Sequence, residues 1–211
     1  MVQSVNFDQR TTREMIQALA DTVIGHADEL TELDRAIGDA DHGVNLERGF
    51  KAVLAKIDTI SAQPINDALG EVGKTLILSV GGASGPLYGK LFATIGQHLG
   101  SPDGLSKECV VSACQKAIGV LKTLGRSDVG DKTMLDVLVP SLDQLRATEG
   151  PISLHEVREQ AHEAALATIP MVARRGRASF LGERSQGHMD PGARSSELIV
   201  GAVCDFLETR M

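Results

Sequence analysis

Aromatic residues make up only 3% of this 211-residue chain, with no tryptophan and a single tyrosine. That scarcity argues against a β-sandwich, whose paired faces draw on aromatic and β-branched side chains, and fits helices packed through Ala, Leu and Val. Cysteine is nearly as scarce: Cys109, Cys114 and Cys204 form an odd set without CxxC or histidine-partner spacing. This excludes a disulfide framework or zinc knuckle and predicts free, mostly buried thiols in a reducing cytoplasm. No run of Lys or Arg stands out against a net charge of -7 and a pI near 5.4, which argues against a nucleic-acid surface or an anionic-membrane surface. No apolar stretch approaches the ~20 residues of a membrane span. The opening Met1-Val-Gln-Ser-Val-Asn6 does not read as a signal peptide.

What remains is 42% hydrophobic with a mean hydropathy of -0.02, enough for one well-buried core, and a single domain over 1–211 is the expectation. The apolar pattern is helical nearly throughout. Met15, Ile16, Leu19, Val23, Ala27 and Leu30 recur at three- and four-residue steps, the stripe of a core-facing helix, and Thr11-Thr-Arg-Glu14 reads as its capping box. Further helices are predicted over about 44–57, 65–79, 84–99 and 105–123, with others starting near Asp131, Ser153 and Asp190. Ser153-Leu-His-Glu156 is a second capping box, and Asp190-Pro191 places an N-cap before a proline at the first helical position. No alternating stretch is long enough to be a strand. About eight helices result, an all-α bundle.

Four connections are dense with Gly, Asp, Arg and His: 34–45, 79–89, 125–133 and 173–192. In an up-and-down bundle, alternate connections share one end, so these four are expected to converge on one rim. The first crowds Asp34, Asp39 and Asp41 into eight residues. Two carboxylates ~4 Å apart repel by about 4 kcal/mol at an effective dielectric of 20, so the trio calls for a cation. An all-oxygen donor set selects Mg²⁺ or Ca²⁺ over zinc, and Mg²⁺ completes its shell with water and phosphate oxygens. Taken singly, each aspartate reads equally as an N-cap or a solvated acid.

Ser79-Val-Gly-Gly-Ala-Ser-Gly85 lets backbone amides and the Ser84 hydroxyl approach an anion at a helix N-terminus, and alone it reads equally as a close helix crossing. Two segments imitate a P-loop. Gly73-Lys74-Thr75 lacks the earlier glycine, which falls at Ala68, and Gly130-Asp-Lys-Thr133 inserts an Asp before the Lys. Neither follows a strand, so Walker chemistry is excluded. Finally, Arg174, Arg175, Arg177 and Arg184 lie within eleven residues of an acidic chain, threaded with glycines. Guanidinium groups suit phosphate oxygens and a phosphoryl group in transfer; a solvated basic loop is the simpler reading of that run.

Gly38-Asp-Ala-Asp-His-Gly43 with Asn45, Val80-Gly-Gly-Ala-Ser-Gly-Pro86, Gly130-Asp-Lys-Thr-Met134 and the segment from Gly176 to Gly192 resemble, in order and over nearly the whole chain, the ADP-binding L subunits of dihydroxyacetone kinases. The resemblance implies an eight-helix antiparallel barrel with nucleotide at one rim. It implies two Mg²⁺ ions on Asp34, Asp39 and Asp41, and ADP or ATP lined by His42, Gly43, Val44, Asn45, Ala83, Ser84, Gly125, Met134, Arg177, Asp190, Pro191 and Gly192. Arg177 is the expected catalytic group. The implied partners are a separate K subunit that holds dihydroxyacetone and a phosphotransferase-system protein that rephosphorylates resident ADP. Alternatives are ATP exchange, a related ketose such as erythrulose, and a nucleotide sensor docking on a transcription regulator; a homodimer is a further expectation. At 211 residues the chain has no K domain and resembles the separate form.

Overall fold

The computed structural model describes residues 7–100, 105–148 and 153–210, so the N-terminal Met1–Asn6 reading lies outside the described residues. Every regular element among them is helical: α1 (Gln9–Gly25), α2 (Ala27–Ile37), α3 (His42–Leu54), α4 (Ile57–Ser61), α5 (Ile65–Ser79), α6 (Ser84–His98), α7 (Lys107–Gly125), α8 (Leu135–Ala147), α9 (Leu154–Ala167), a 3-10 segment (Arg177–Ser185) and α10 (Pro191–Glu208). The eight expected rods are present, but two are divided. The first breaks at His26, where the ring Nδ1 bonds the Thr22 carbonyl at 2.8 Å and closes α1. The second stops at Leu54 and resumes as the single turn α4.

Cap chemistry accounts for most boundaries. Asp8, not the box at Thr11, caps α1, its carboxylate accepting the Thr11 amide at 2.7 Å. Ser106 and Ser153 cap α7 and α9. The Ser153 box is only half made, because Glu156 turns to Gln144 instead. Asp190 caps α10 with Pro191 at its first position, as expected. The helix expected near Asp131 begins later, at Leu135, because the preceding residues form a turn with left-handed backbone at Gly130 and Lys132.

Neighbouring rods pack in a ring: α1 and α2 on α3, α3 on α5, then α6, α7, α8, α9 and α10, which closes on α1 and α2. One apolar cluster runs through it, joining Leu19 and Val23 to Leu46, Phe50, Leu76, Phe92, Leu121, Leu138 and Ile199. Each such side chain stabilises by roughly 1.5–3 kcal/mol on full burial. α5 and α6 pack closely, and a Cβ at Gly73 would sit 2.5 Å from the Gly89 carbonyl oxygen. The α2–α3, α5–α6, α7–α8 and α9–α10 connections meet at one end of the ring, where residues of all four line a single cleft.

Candidate functional site

The acidic loop is shaped by Asp34, buried near the end of α2. Its Oδ2 accepts the backbone N–H of Asp41 at 2.9 Å and of His42 at 3.2 Å. A residue of one helix thus caps the next, while Asp41, at the formal N-cap, makes no capping bond and keeps its carboxylate free for other partners. Ala40 takes φ +60° to make the turn, a left-handed conformation that costs a residue with a Cβ about 1–2 kcal/mol. As a result, one oxygen from each of Asp34, Asp39 and Asp41 lies within 4.8 Å of the others. Among the described residues, the cation bonded to this group is Arg177, whose Nη2 is 3.0 Å from Asp39 Oδ2.

A buried polar chain connects this loop to the glycine loop. His42 Nδ1 pairs with Ser84 Oγ at 3.0 Å and Nε2 with Ser195 Oγ at 2.9 Å. Burial lowers the histidine's pKa against the opposing pull of Asp34 and Asp41, favouring the neutral ring. Ser195 continues to the Tyr88 hydroxyl at 2.6 Å, which also meets Ser196 at 3.0 Å. Burial pushes the Tyr88 phenol up to about 12, so it stays protonated. At the α6 N-terminus Gly82 turns with φ +63°, leaving Ala83 and Ser84 facing the cleft.

The third side is built from the 130–133 turn and the arginine segment. Buried Asp136 accepts the N–H groups of Gly130 at 2.6 Å and Thr133 at 2.7 Å, fixing the turn from the first turn of α8. The Asp131 carbonyl accepts the Arg174 amide at 3.0 Å, and Arg175 Nε reaches the Arg126 carbonyl at 2.5 Å. Lys132 Nζ lies beneath, only 1% of the residue exposed, among the carbonyls of Met171, Ser185 and His188. Asp190 accepts the Ala193 amide at 2.8 Å. Burial, aided by the charge of Asp136 and opposed by Lys132, pushes its carboxyl up to about 7.

These walls enclose a cleft of about 180 Å³. Of the residues expected at the site, Asp34, Asp39, Asp41, His42, Ala83, Ser84, Met134, Arg177, Asp190, Pro191 and Gly192 line it. Gly43, Val44, Asn45 and Gly125 do not. Gly43 is where α3 crosses α2, and a Cβ there would strike the Ala27 carbonyl oxygen and Thr31. Val44 points to solvent, Asn45 accepts from Arg48 at 2.7 Å, and Gly125 sits behind the lining residue Leu87. Sequence reasoning missed Tyr88, Lys132, Thr133 and Arg175. Lys132 carried a signal in the motif rejected as a P-loop; Tyr88 carried none, lying mid-helix. Around the cleft, apolar side chains stand in solvent at the same end of the ring, with Leu78 83% and Phe180 88% exposed, joined by Val44, Leu124 and Val129.

A family model described as the DAK2 domain matches residues 36–205. The chain belongs to that family. It is 44% identical over 171 residues to the ADP-binding subunit DhaL of the PEP-dependent dihydroxyacetone kinase of Escherichia coli (strain K12), covering 79% of this chain and 81% of that protein. It is 33% identical to the ADP-binding subunit DhaL of the PTS-dependent dihydroxyacetone kinase of Lactococcus lactis, covering 88% and 91%. Among solved structures, the DAK2 chain resembles the dihydroxyacetone kinase from C. freundii in complex with AMP-PNP and Mg²⁺, with a TM-score of 0.73 and 24% identity. That likeness establishes the fold; it covers 97% of this chain and 35% of the other, so the chain spans about a third of that longer kinase. No helix among the described residues is long and apolar enough to cross a membrane.

Proposed function

We propose that the chain, as one nucleotide-binding domain over 1–211, is the ADP-binding subunit of a phosphoenolpyruvate-dependent dihydroxyacetone kinase. In this reading it holds Mg-nucleotide and passes the γ-phosphoryl group to dihydroxyacetone on a separate K subunit. The ADP left behind stays in place and is rephosphorylated by a phosphotransferase-system protein. The observation that carries the reading is the convergence of Asp34, Asp39 and Asp41 opposite Ser84 and Arg177 in one cleft. The donor set fits Mg²⁺: three carboxylates and no imidazole nitrogen to spare, since both nitrogens of His42 are engaged by serine hydroxyls. Two such ions on three aspartates are part of the proposal. Bound there, Mg²⁺ neutralises charge on the β- and γ-phosphates.

The chain's own residues do the rest. The α6 N-terminus and the Ser84 hydroxyl offer donors and the positive end of a helix dipole to phosphate oxygens. Arg177 pairs with Asp39 across the cleft; were Asp39 to hold metal, the guanidinium at that position would be available to the equatorial oxygens of the group in transfer. No lysine or histidine lining the cleft is free to act as a nucleophile: His42 is doubly bonded, and the three N–H groups of Lys132 point to carbonyls. This supports placing the acceptor on another chain, docked over the exposed apolar rim. Asp39→Asn is expected to abolish Mg²⁺-dependent ADP binding in calorimetry, and unchanged affinity would sink the metal assignment. Stoichiometric ADP in mass spectra of freshly purified protein is the expected sign of the resident cofactor.

A further inference from the structure

Lys132 lies in the Gly130-Asp-Lys-Thr133 turn, which imitates a P-loop without its spacing or its strand, and its surroundings assign it other work. An ammonium has three N–H donors. Here they meet the carbonyl oxygens of Met171 at 3.1 Å, Ser185 at 2.6 Å and His188 at 2.7 Å, and none is left for a phosphate. The acceptors lie on both sides of the segment that carries Arg177: Met171 before it, Ser185 at its end and His188 beyond. The lysine's own backbone is fixed, with φ +63° at Lys132 and +92° at Gly130, in a turn tied to Asp136. The Asp131 carbonyl adds a fourth tie, to the Arg174 amide at 3.0 Å.

We infer that Lys132 is a positioning residue: its buried ammonium gathers the two flanks of the arginine segment onto the rigid turn before α8 and so aims Arg177 across the cleft at Asp39. The inference rests on the reading of Arg177 as the group that meets the transferred phosphoryl. Without the ammonium, three carbonyls are left in a buried space with no donor, and the segment loses its common anchor.

The test compares Lys132→Met, Arg177→Ala and the double variant. In Lys132→Met, amide exchange across 171–188 is expected to rise by about 10- to 100-fold, the loss of charge-assisted bonds, while protection in α5 and α6 stays as in the parent. Phosphoryl transfer should fall close to the Arg177→Ala rate, and the double variant should be no slower than Lys132→Met, because residues acting as one unit are not additive. Unchanged exchange in 171–188, or rate losses that multiply, overturns the inference. If Arg177→Ala transfers at the parental rate, the role given to Arg177 fails, and the exchange result still decides whether Lys132 anchors the segment. Should Lys132→Met not fold, pulsed acetylation of the unaltered chain answers instead. Lys132 should react no faster than the 171–188 amides open; reaction as fast as exposed Lys74, with the segment still protected, refutes it.

Discussion

The interior of the ring holds an apolar cavity of about 300 Å³, lined by side chains such as Met15, Leu19, Phe92, Ile118 and Leu142, whereas the rim cleft is smaller, about 180 Å³, and lined by four aspartates, a lysine and two arginines. The backbone differs as much as the side chains. Helices with ordinary geometry surround the apolar cavity, while the non-glycine residues with positive φ among those described, Ala40, Arg126 and Lys132, all lie in the rim connections. Gly82, Gly130, Gly176, Gly182 and Gly187 join them there. Volume follows how rods of Ala and Leu fit together; chemistry follows where the chain leaves the helix and accepts strain to aim a polar group. The larger cavity is therefore a poor guide to the site.

The sharpest way to separate the two regions is to damage one residue in each. Asp34→Ala removes one of the proposed metal ligands and the acceptor for the Asp41 and His42 amides at the start of α3, and Mg-ADP affinity should fall by at least about 100-fold in calorimetry. Leu142→Ala in the apolar cavity should cost about 2–5 kcal/mol of unfolding free energy with affinity unchanged. A comparable loss of affinity from Leu142→Ala would break the comparison.

A second, smaller effect concerns Asp190, whose pKa stands at about 7 in the fold against an ordinary 3.8. A carboxyl raised on folding contributes stability that is complete below its unfolded value and is lost as pH climbs through the folded one. The stability of the parent relative to Asp190→Asn should therefore decline by a few kcal/mol between about pH 4 and pH 7, read by urea titration. A flat difference would place Asp190 among ordinary solvated acids.

The smallest effect is expected from Arg177→Ala in the absence of nucleotide. It removes the cation paired with Asp39, so Mg²⁺ should bind a few-fold more tightly, the scale of an exposed ion pair. Weaker Mg²⁺ binding would mean that Arg177 shapes the acidic loop rather than competing for it.

Much of this was legible in the sequence because the informative residues are local. The aspartates at 34, 39 and 41 sit on one turn, Asp190-Pro191 announces its own helix, and the apolar stripes reveal the rods. What was not legible depends on partners far along the chain. Lys132 meets carbonyls 39 to 56 residues away, and Tyr88 meets serines more than 100 residues away. The break at His26 escaped because the apolar stripe continues across it, and the packing of Gly43 against Ala27 and Thr31 escaped because those residues lie on the preceding helix. A glycine holding two helices together and one approaching a ligand look the same from sequence.

The ring of exposed apolar side chains around the cleft has a consequence for how these molecules behave toward one another in solution. The face that must stay open for nucleotide carries Phe180 and Leu78 almost fully in water, so it is also the adhesive face of the particle. In a concentrated solution without a partner, only mutual repulsion from the net charge of -7 keeps such faces apart, and that repulsion vanishes near pH 5.4. Colloidal stability and occupancy of the rim are thereby linked: a partner docked on this end, as proposed for catalysis, would also keep the protein dispersed.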